Sequence, residues 1–176
     1  MVFAHDTEAA LLAAVELANS ELEPDTLTAP EQLASFFDRH GYTGERTGQR
    51  GELDRVRAVR TGLRTLLTSE RDDAVDHVNA MLAEAGALPR LVRHGDLDWH
   101  IHAADDDVAL AVRINVETAM AMIDVIRADE MSRLAVCADE DCSGVVLDLS
   151  RNRSRKYCST TCGNRNAVAA YRARQG

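Results

Sequence analysis

Apolar residues recur every three or four positions through most of the chain before Leu134, the period of helices that bury one face. Thr7–Asn19 carries Ala10, Leu11, Ala14, Val15, Leu17 and Ala18 at that spacing, and Asn19-Ser20 with Pro24 marks its end. Ala29–His40 predicts a shorter helix, with Pro30 in its first turn and Leu33, Phe36 and Phe37 inward. Gly41–Gly51 holds four glycines among mostly polar residues and is a loop. Glu52–Thr68 resumes the helical period through Leu53, Val56, Val59, Leu63, Leu66 and Leu67. Asp72–Ala85 follows, with Val75, Val78, Met81 and Leu82 inward and Gly86 and Pro89 as stops. The period then changes to two. Over Leu91–His102, the residues Leu97, Trp99 and Ile101 alternate with Asp98, His100 and His102, and Gly95-Asp96 can turn a hairpin. Asp106–Arg127 returns to helix, with Val108, Val112, Val116 and Met120 on its apolar side.

This pattern predicts a mainly α protein whose N-terminal domain contains one β-hairpin. Composition agrees: 45% hydrophobic residues with only 4% aromatics favours closely packed, alanine-rich helices. No run approaches the ~18 apolar residues of a membrane span. The first twenty residues lack Lys and Arg and carry Asp6, Glu8 and Glu16, unlike a secretion signal, so a cytoplasmic protein without a membrane partner is expected.

A net charge of −9 argues at first against a nucleic-acid partner, but its distribution reverses that. Residues 151–176 contain seven bases (Arg151, Arg153, Arg155, Lys156, Arg165, Arg172 and Arg174) and no acid. The preceding 150 residues carry thirteen bases against all 29 acids, a charge of −16 against +7. An acidic body joined to a basic contact module is expected, with domains at 1–132 and 133–176.

All four cysteines fall in the basic module or just before it. Four residues separate Cys137 from Cys142, fifteen separate Cys142 from Cys158, and three separate Cys158 from Cys162. Two short-range pairs suit a tetrahedral zinc ion held by Cys137, Cys142, Cys158 and Cys162. Disulfides fit poorly without a secretion signal, and unpaired buried cysteines would not cluster in this way. Iron–sulfur ligation is compatible with four thiolates, although so small a scaffold is more often a zinc module. Cys158 and Cys162, at i and i+4, would share one helix face. Val145–Leu149 and Arg155–Tyr157 look like two short strands around Ser150–Ser154, giving knuckle, hairpin, then helix. With four thiolates and no open position, the zinc is structural and the chain is not expected to be an enzyme. A module of about forty residues lacks the core to fold alone, so the metal should supply on the order of 10 kcal/mol.

Asp148-Leu149-Ser150-Arg151, Arg155-Lys156-Tyr157-Cys158 and Cys162-Gly163-Asn164-Arg165 together resemble the CGNR zinc finger family, named for the last tetrapeptide. The preceding chain resembles the ABATE domain of stress-induced transcription regulators, through Glu16-Leu17-Ala18-Asn19-Ser20, Arg57-Ala58-Val59-Arg60 and Val78-Asn79-Ala80-Met81-Leu82. The resemblance implies a bacterial transcription factor with a sensing or ligand-binding N-terminal domain and a treble-clef-like finger that binds DNA. Tyr157 stands where relatives commonly have Trp, and Asn166-Ala167-Val168 replaces a usual Lys.

Double-stranded DNA would be held by Arg151, Arg153, Arg155, Lys156, Arg165, Arg172 and Arg174, with Asn164 and Arg165 able to read base edges. Arg165 has a competing role, pairing with Asp148 or steadying a zinc-bound sulfur. One finger buries little surface, so tight specific binding would call for a homodimer. A protein- or RNA-binding adaptor is the alternative reading. For a small ligand, Arg57 and Arg60 with Asn19 or Asn79 form a candidate anion pocket, set against the favoured reading of intramolecular salt bridges. His100 and His102 share a strand face, expected to be an edge turned to solvent.

Overall fold

The computed structural model describes residues 2–93 and 99–175. In chain order the elements are α1 (His5–Asn19), α2 (Pro30–Arg39), α3 (Arg50–Thr68), α4 (Arg71–Glu84), β1 (Arg90–Val92), β2 (His100–His102), α5 (Leu110–Arg127), β3 (Leu134–Val136), β4 (Val145–Leu147) and α6 (Thr160–Ala173). The helices follow the apolar period to within a few residues. α5 begins at Leu110 rather than Asp106 because Asp105–Val108 closes a separate turn, Val108 N–H donating to Asp105 at 3.2 Å, and Ala109 is extended.

α5 is the centre of the body. It buries eleven of its 18 residues, including Leu110, Ile114, Met122 and Val125, as a helix surrounded by others must. α1, α3 and α4 pack around it. α1 presents Leu11, Ala14, Leu17 and Ala18; α3 presents Leu53, Val56, Leu63, Leu66 and Leu67. The loop after α2 is tied down by Arg113, whose guanidinium donates to Val108 (3.0 Å) and Glu45 (2.6 Å) carbonyls. Gly44 lies where this loop touches the chain before α5. It has φ +86°, and a Cβ there would sit 2.4 Å from the Asp106 carbonyl oxygen, so only glycine fits.

Two antiparallel hairpins are present. β1 pairs with β2 in the register Arg90↔His102, Leu91↔Ile101 and Val92↔His100. The expected turn Gly95-Asp96, with Leu97 and Asp98, lies outside the described residues. The alternation is real, but its sense is the reverse of the expectation. Ile101 is 46% exposed and Trp99 62%, whereas His100 and His102 are half-buried and turn toward the body. A period of two separates the faces of a strand without saying which one the helices cover.

β4 pairs with β3, not with Arg155–Tyr157 as the sequence suggested. Arg155–Tyr157 instead follows the loop between the first two cysteines, where the Lys156 carbonyl accepts from Ala138 N–H at 2.9 Å. β4 is buried on both faces: Val145 and Leu147 join Leu134 in the main helical core, while Val146 packs against Cys137 and Cys162.

Candidate metal centre

The four sulfurs converge because three local structures aim them inward. Cys137 and Cys142 bracket a tight loop closed by Cys137 N–H donating to the Gly144 carbonyl (2.7 Å) and Cys142 N–H to the Asp139 carbonyl (2.9 Å). Gly144 gives the close approach: a Cβ there would sit 2.7 Å from Cys158 Sγ and 3.2 Å from Leu22. Cys158 precedes α6 rather than lying in it. Ser159 is the N-cap, its Oγ accepting from Cys162 N–H at 3.2 Å, so Cys162 sits in the first turn.

All four sulfurs lie within 4.8 Å of one another; Cys142 and Cys158 are 3.5 Å apart, and Cys158 and Cys162 are 3.8 Å apart. A tetrahedron with metal–sulfur bonds of about 2.3 Å has edges of about 3.8 Å, so the cluster is of the right size for zinc. Burial at this site disfavours bare thiolates. Burial, reinforced by the neighbouring thiols, pushes the Cys158 thiol up, and burial does the same to Cys142, while the Ser159 hydroxyl pulls Cys162 down. A bound cation relieves that cost by replacing protons with one shared charge. Donors already point at the sulfurs: Gly144 N–H at Cys142 (3.4 Å), Cys158 N–H at Cys137 (3.4 Å) and Arg165 Nη2 at Cys162 (3.7 Å). Four cysteines close the coordination sphere, so the zinc is structural.

Arg165 donates through Nε to Asp139 Oδ2 at 2.7 Å. Asp139, in the first cysteine loop, is 3% exposed, and it also accepts from Asn166 Nδ2 (2.8 Å) and Asp141 N–H (3.1 Å). The Arg165 guanidinium holds its carboxyl below the usual carboxylate range. Asp148, the partner considered from sequence, is occupied by the backbone N–H groups of Ser150 (2.8 Å) and Arg155 (2.7 Å). Asp139 and Asn166 thus tie α6 to the first cysteine loop, a role sequence reading missed. An acid two positions after a ligand cysteine was the available signal.

The basic residues divide into two sets. Arg153 pairs with Glu130 (2.8 Å), and Arg155 donates to the carbonyls of Tyr157 (3.4 Å) and Cys158 (3.2 Å). Arg151, Lys156, Arg172 and Arg174 are exposed and form no ion pair among the described residues. Beyond Cys162 and the half-buried Gly163 and Asn166, α6 is exposed, with Asn164, Val168, Tyr171 and Arg172 along one stripe.

The four residues considered for a small ligand go to separate tasks. Arg57 (3.0 Å) and Arg60 (3.0 and 3.1 Å) converge on Asp25, whose carboxyl Arg60 helps lower to about 2. Asn19 uses both ends of its amide on Val145, at 2.8 and 2.7 Å. Asn79 is exposed on α4. Arg64 joins Asn19 in holding the finger, donating to the carbonyls of Ala18 and Ser143.

A helical body gripping a closed four-cysteine centre defines a zinc-finger protein. Residues 12–129 match the ABATE family, described as "Putative stress-induced transcription regulator", and residues 133–175 match the CGNR zinc finger. The first match covers more than half of the chain, which therefore belongs to that family of transcription regulators. No curated protein matches the chain. No helix among the described residues is long and apolar enough to cross a membrane.

Proposed function

We propose that this chain is a transcription regulator that holds double-stranded DNA through α6 and the loop before it, with residues 1–132 as the regulatory body and 133–176 as the contact module. The observation that carries this reading is the exposure of α6. Its first turn and Asn166 fasten it to the metal centre, and the rest stands clear of the body with bases and no acid. A helix so presented matches the width of the major groove. Arg151, Lys156, Arg172 and Arg174 are the phosphate contacts, since displaced counterions supply most of the sequence-independent affinity. Arg153, Arg155 and Arg165 act chiefly by shaping the finger, and Asn164 is placed to meet base edges.

One helix buries about 600–1,000 Å², so specific affinity at physiological salt requires two copies on a palindrome. The thiolate centre suits a reducing compartment such as the cytoplasm. Val168 and Tyr171, 48% and 58% exposed on α6, favour a second reading in which the finger docks on an acidic protein or on RNA. Anisotropy of a labelled mixed-sequence duplex at rising salt separates the two. With four phosphate contacts, affinity falls about 100-fold between 50 and 200 mM salt, and Arg172→Ala lowers the slope by about one. Absence of binding to any duplex at low salt rejects the DNA reading.

A further inference from the structure

A cavity of about 570 Å³ opens in the body at the end of α1 away from the finger. Its size falls within the ~300–1,000 Å³ of small-molecule sites. α1 lines it with the small side chains of Ala9, Ala10 and Ala13, which leave room between the helices, together with His5, Asp6, Thr7 and Leu12; Met120, Ala121 and Ile123 of α5 form the facing wall. β2 contributes the half-buried His100 and His102 and the exposed rim residue Ile101.

The polar groups in this apolar shell include the carboxylates of Asp6, Glu117 and Asp124 alongside Arg39, Arg127 and the histidines His5, His40, His100 and His102. Glu117 of α5 lines the cavity, and Tyr42 stands beside it with its hydroxyl buried and without a hydrogen-bond partner among the described residues. An unpartnered buried hydroxyl is costly, and a ligand that donates to it removes the cost. Asp6 and Asp124 add two more carboxylates, oriented by Thr7, whose hydroxyl donates to Asp124 at 2.6 Å and whose N–H donates to Asp6 at 3.0 Å. The bases Arg39 and His40 already pair with Glu16, His40 at 2.8 Å. Arg127 lies exposed on the last turn of α5, and His5 lies at the start of α1.

We propose that this cavity binds a small, mainly apolar molecule carrying one protonated amine, its ammonium seated against Glu117 and the Tyr42 hydroxyl and its apolar body laid between α1 and α5. Burial raises Glu117 to about 7, with Arg113 one turn earlier opposing the rise and Asp106 adding to it. A bound ammonium reverses that rise. Binding therefore expels the Glu117 proton, and affinity for the amine increases as pH rises toward neutrality. This site gives the regulatory body of the proposed function a ligand class, and it does not depend on the finger holding DNA.

The test uses the full-length, zinc-loaded protein titrated calorimetrically with three matched probes: naphthylmethylamine, naphthalenemethanol and naphthoate. The amine is expected to saturate a single site at least tenfold more tightly than the alcohol, with naphthoate weakest, and to release protons near pH 6.5. Glu117→Gln is expected to bring the amine to the level of the alcohol, and Ile101→Trp at the rim to weaken all three probes. Should Glu117→Gln fail to fold, the proton release and pH profile of the unmodified protein decide the matter. Naphthoate binding as tightly as the amine, amine affinity indifferent to Glu117→Gln, or absence of a saturable site each overturns the proposal. Duplex binding is not read in this experiment, so its result is distinguishable from failure of the DNA reading.

Discussion

β1–β2 and β3–β4 each pair three residues antiparallel, yet the molecule uses them in opposite ways. β1–β2 lies on the surface, with Leu91 65% and Ile101 46% exposed, and its inward face meets the cavity. β3–β4 is driven into the structure, where one face of β4 completes the helical core and the other lines the cysteine cluster. The first hairpin contributes none of its paired residues to the helical core; the second ties metal, body and finger into one arrangement. Equal hydrogen-bond ladders therefore differ greatly in worth, because burial on both faces, not pairing, sets a short hairpin's contribution.

The largest expected effect is at the metal side of β4. Cys162→Ser removes one zinc ligand and with it much of the ~10 kcal/mol the ion gives the finger. Hydrogen exchange should show residues 137–173 unprotected while α3 and α5 stay protected; an equally protected finger would mean that β4 and the body suffice. On the core side, Leu147→Ala should cost about 2–4 kcal/mol in chemical denaturation, since Leu147 is 2% exposed. A cost below about 1 kcal/mol would remove β4 from the core.

The cavity beneath the first hairpin gives a smaller effect of opposite sign. Glu117 rises from 4.5 unfolded to about 7 folded, so stability is full below pH 4.5 and is lost as pH rises through 7. Glu117→Gln should flatten that slope and stabilise the protein at pH 8 by on the order of 2 kcal/mol. Identical pH profiles of the two proteins would place Glu117 in water. Smallest of all, Ile101→Ser on the exposed face of β2 should change stability by no more than about 0.5 kcal/mol.

Legibility in the sequence follows how local each feature is. The first five helices are written in periods that any window of the chain displays, and the cysteine centre in spacings that a single loop and a helix start satisfy. β3 was not legible because Leu134-Ala135-Val136 is too short to show a period. The inward turn of His100 and His102 depends on which face the helices cover, and the pairing of Arg165 with Asp139 on how the finger closes. The cavity is written in what is missing: alanines at three positions of α1, whose meaning appears only once α5 lies opposite them. Asn19 stood out in sequence, but its partner Val145 is 126 residues away, and only the folded chain shows that α1 reaches from the cavity to the finger.

On the function proposed above, a zinc ion held by four cysteines orders α6 for contact with DNA. Duplex anisotropy on one sample, read before chelation, after it and after zinc is restored, tests this directly. Binding should vanish with the metal and return with it while the helical body keeps its melting transition; unchanged affinity in the metal-free protein would contradict it.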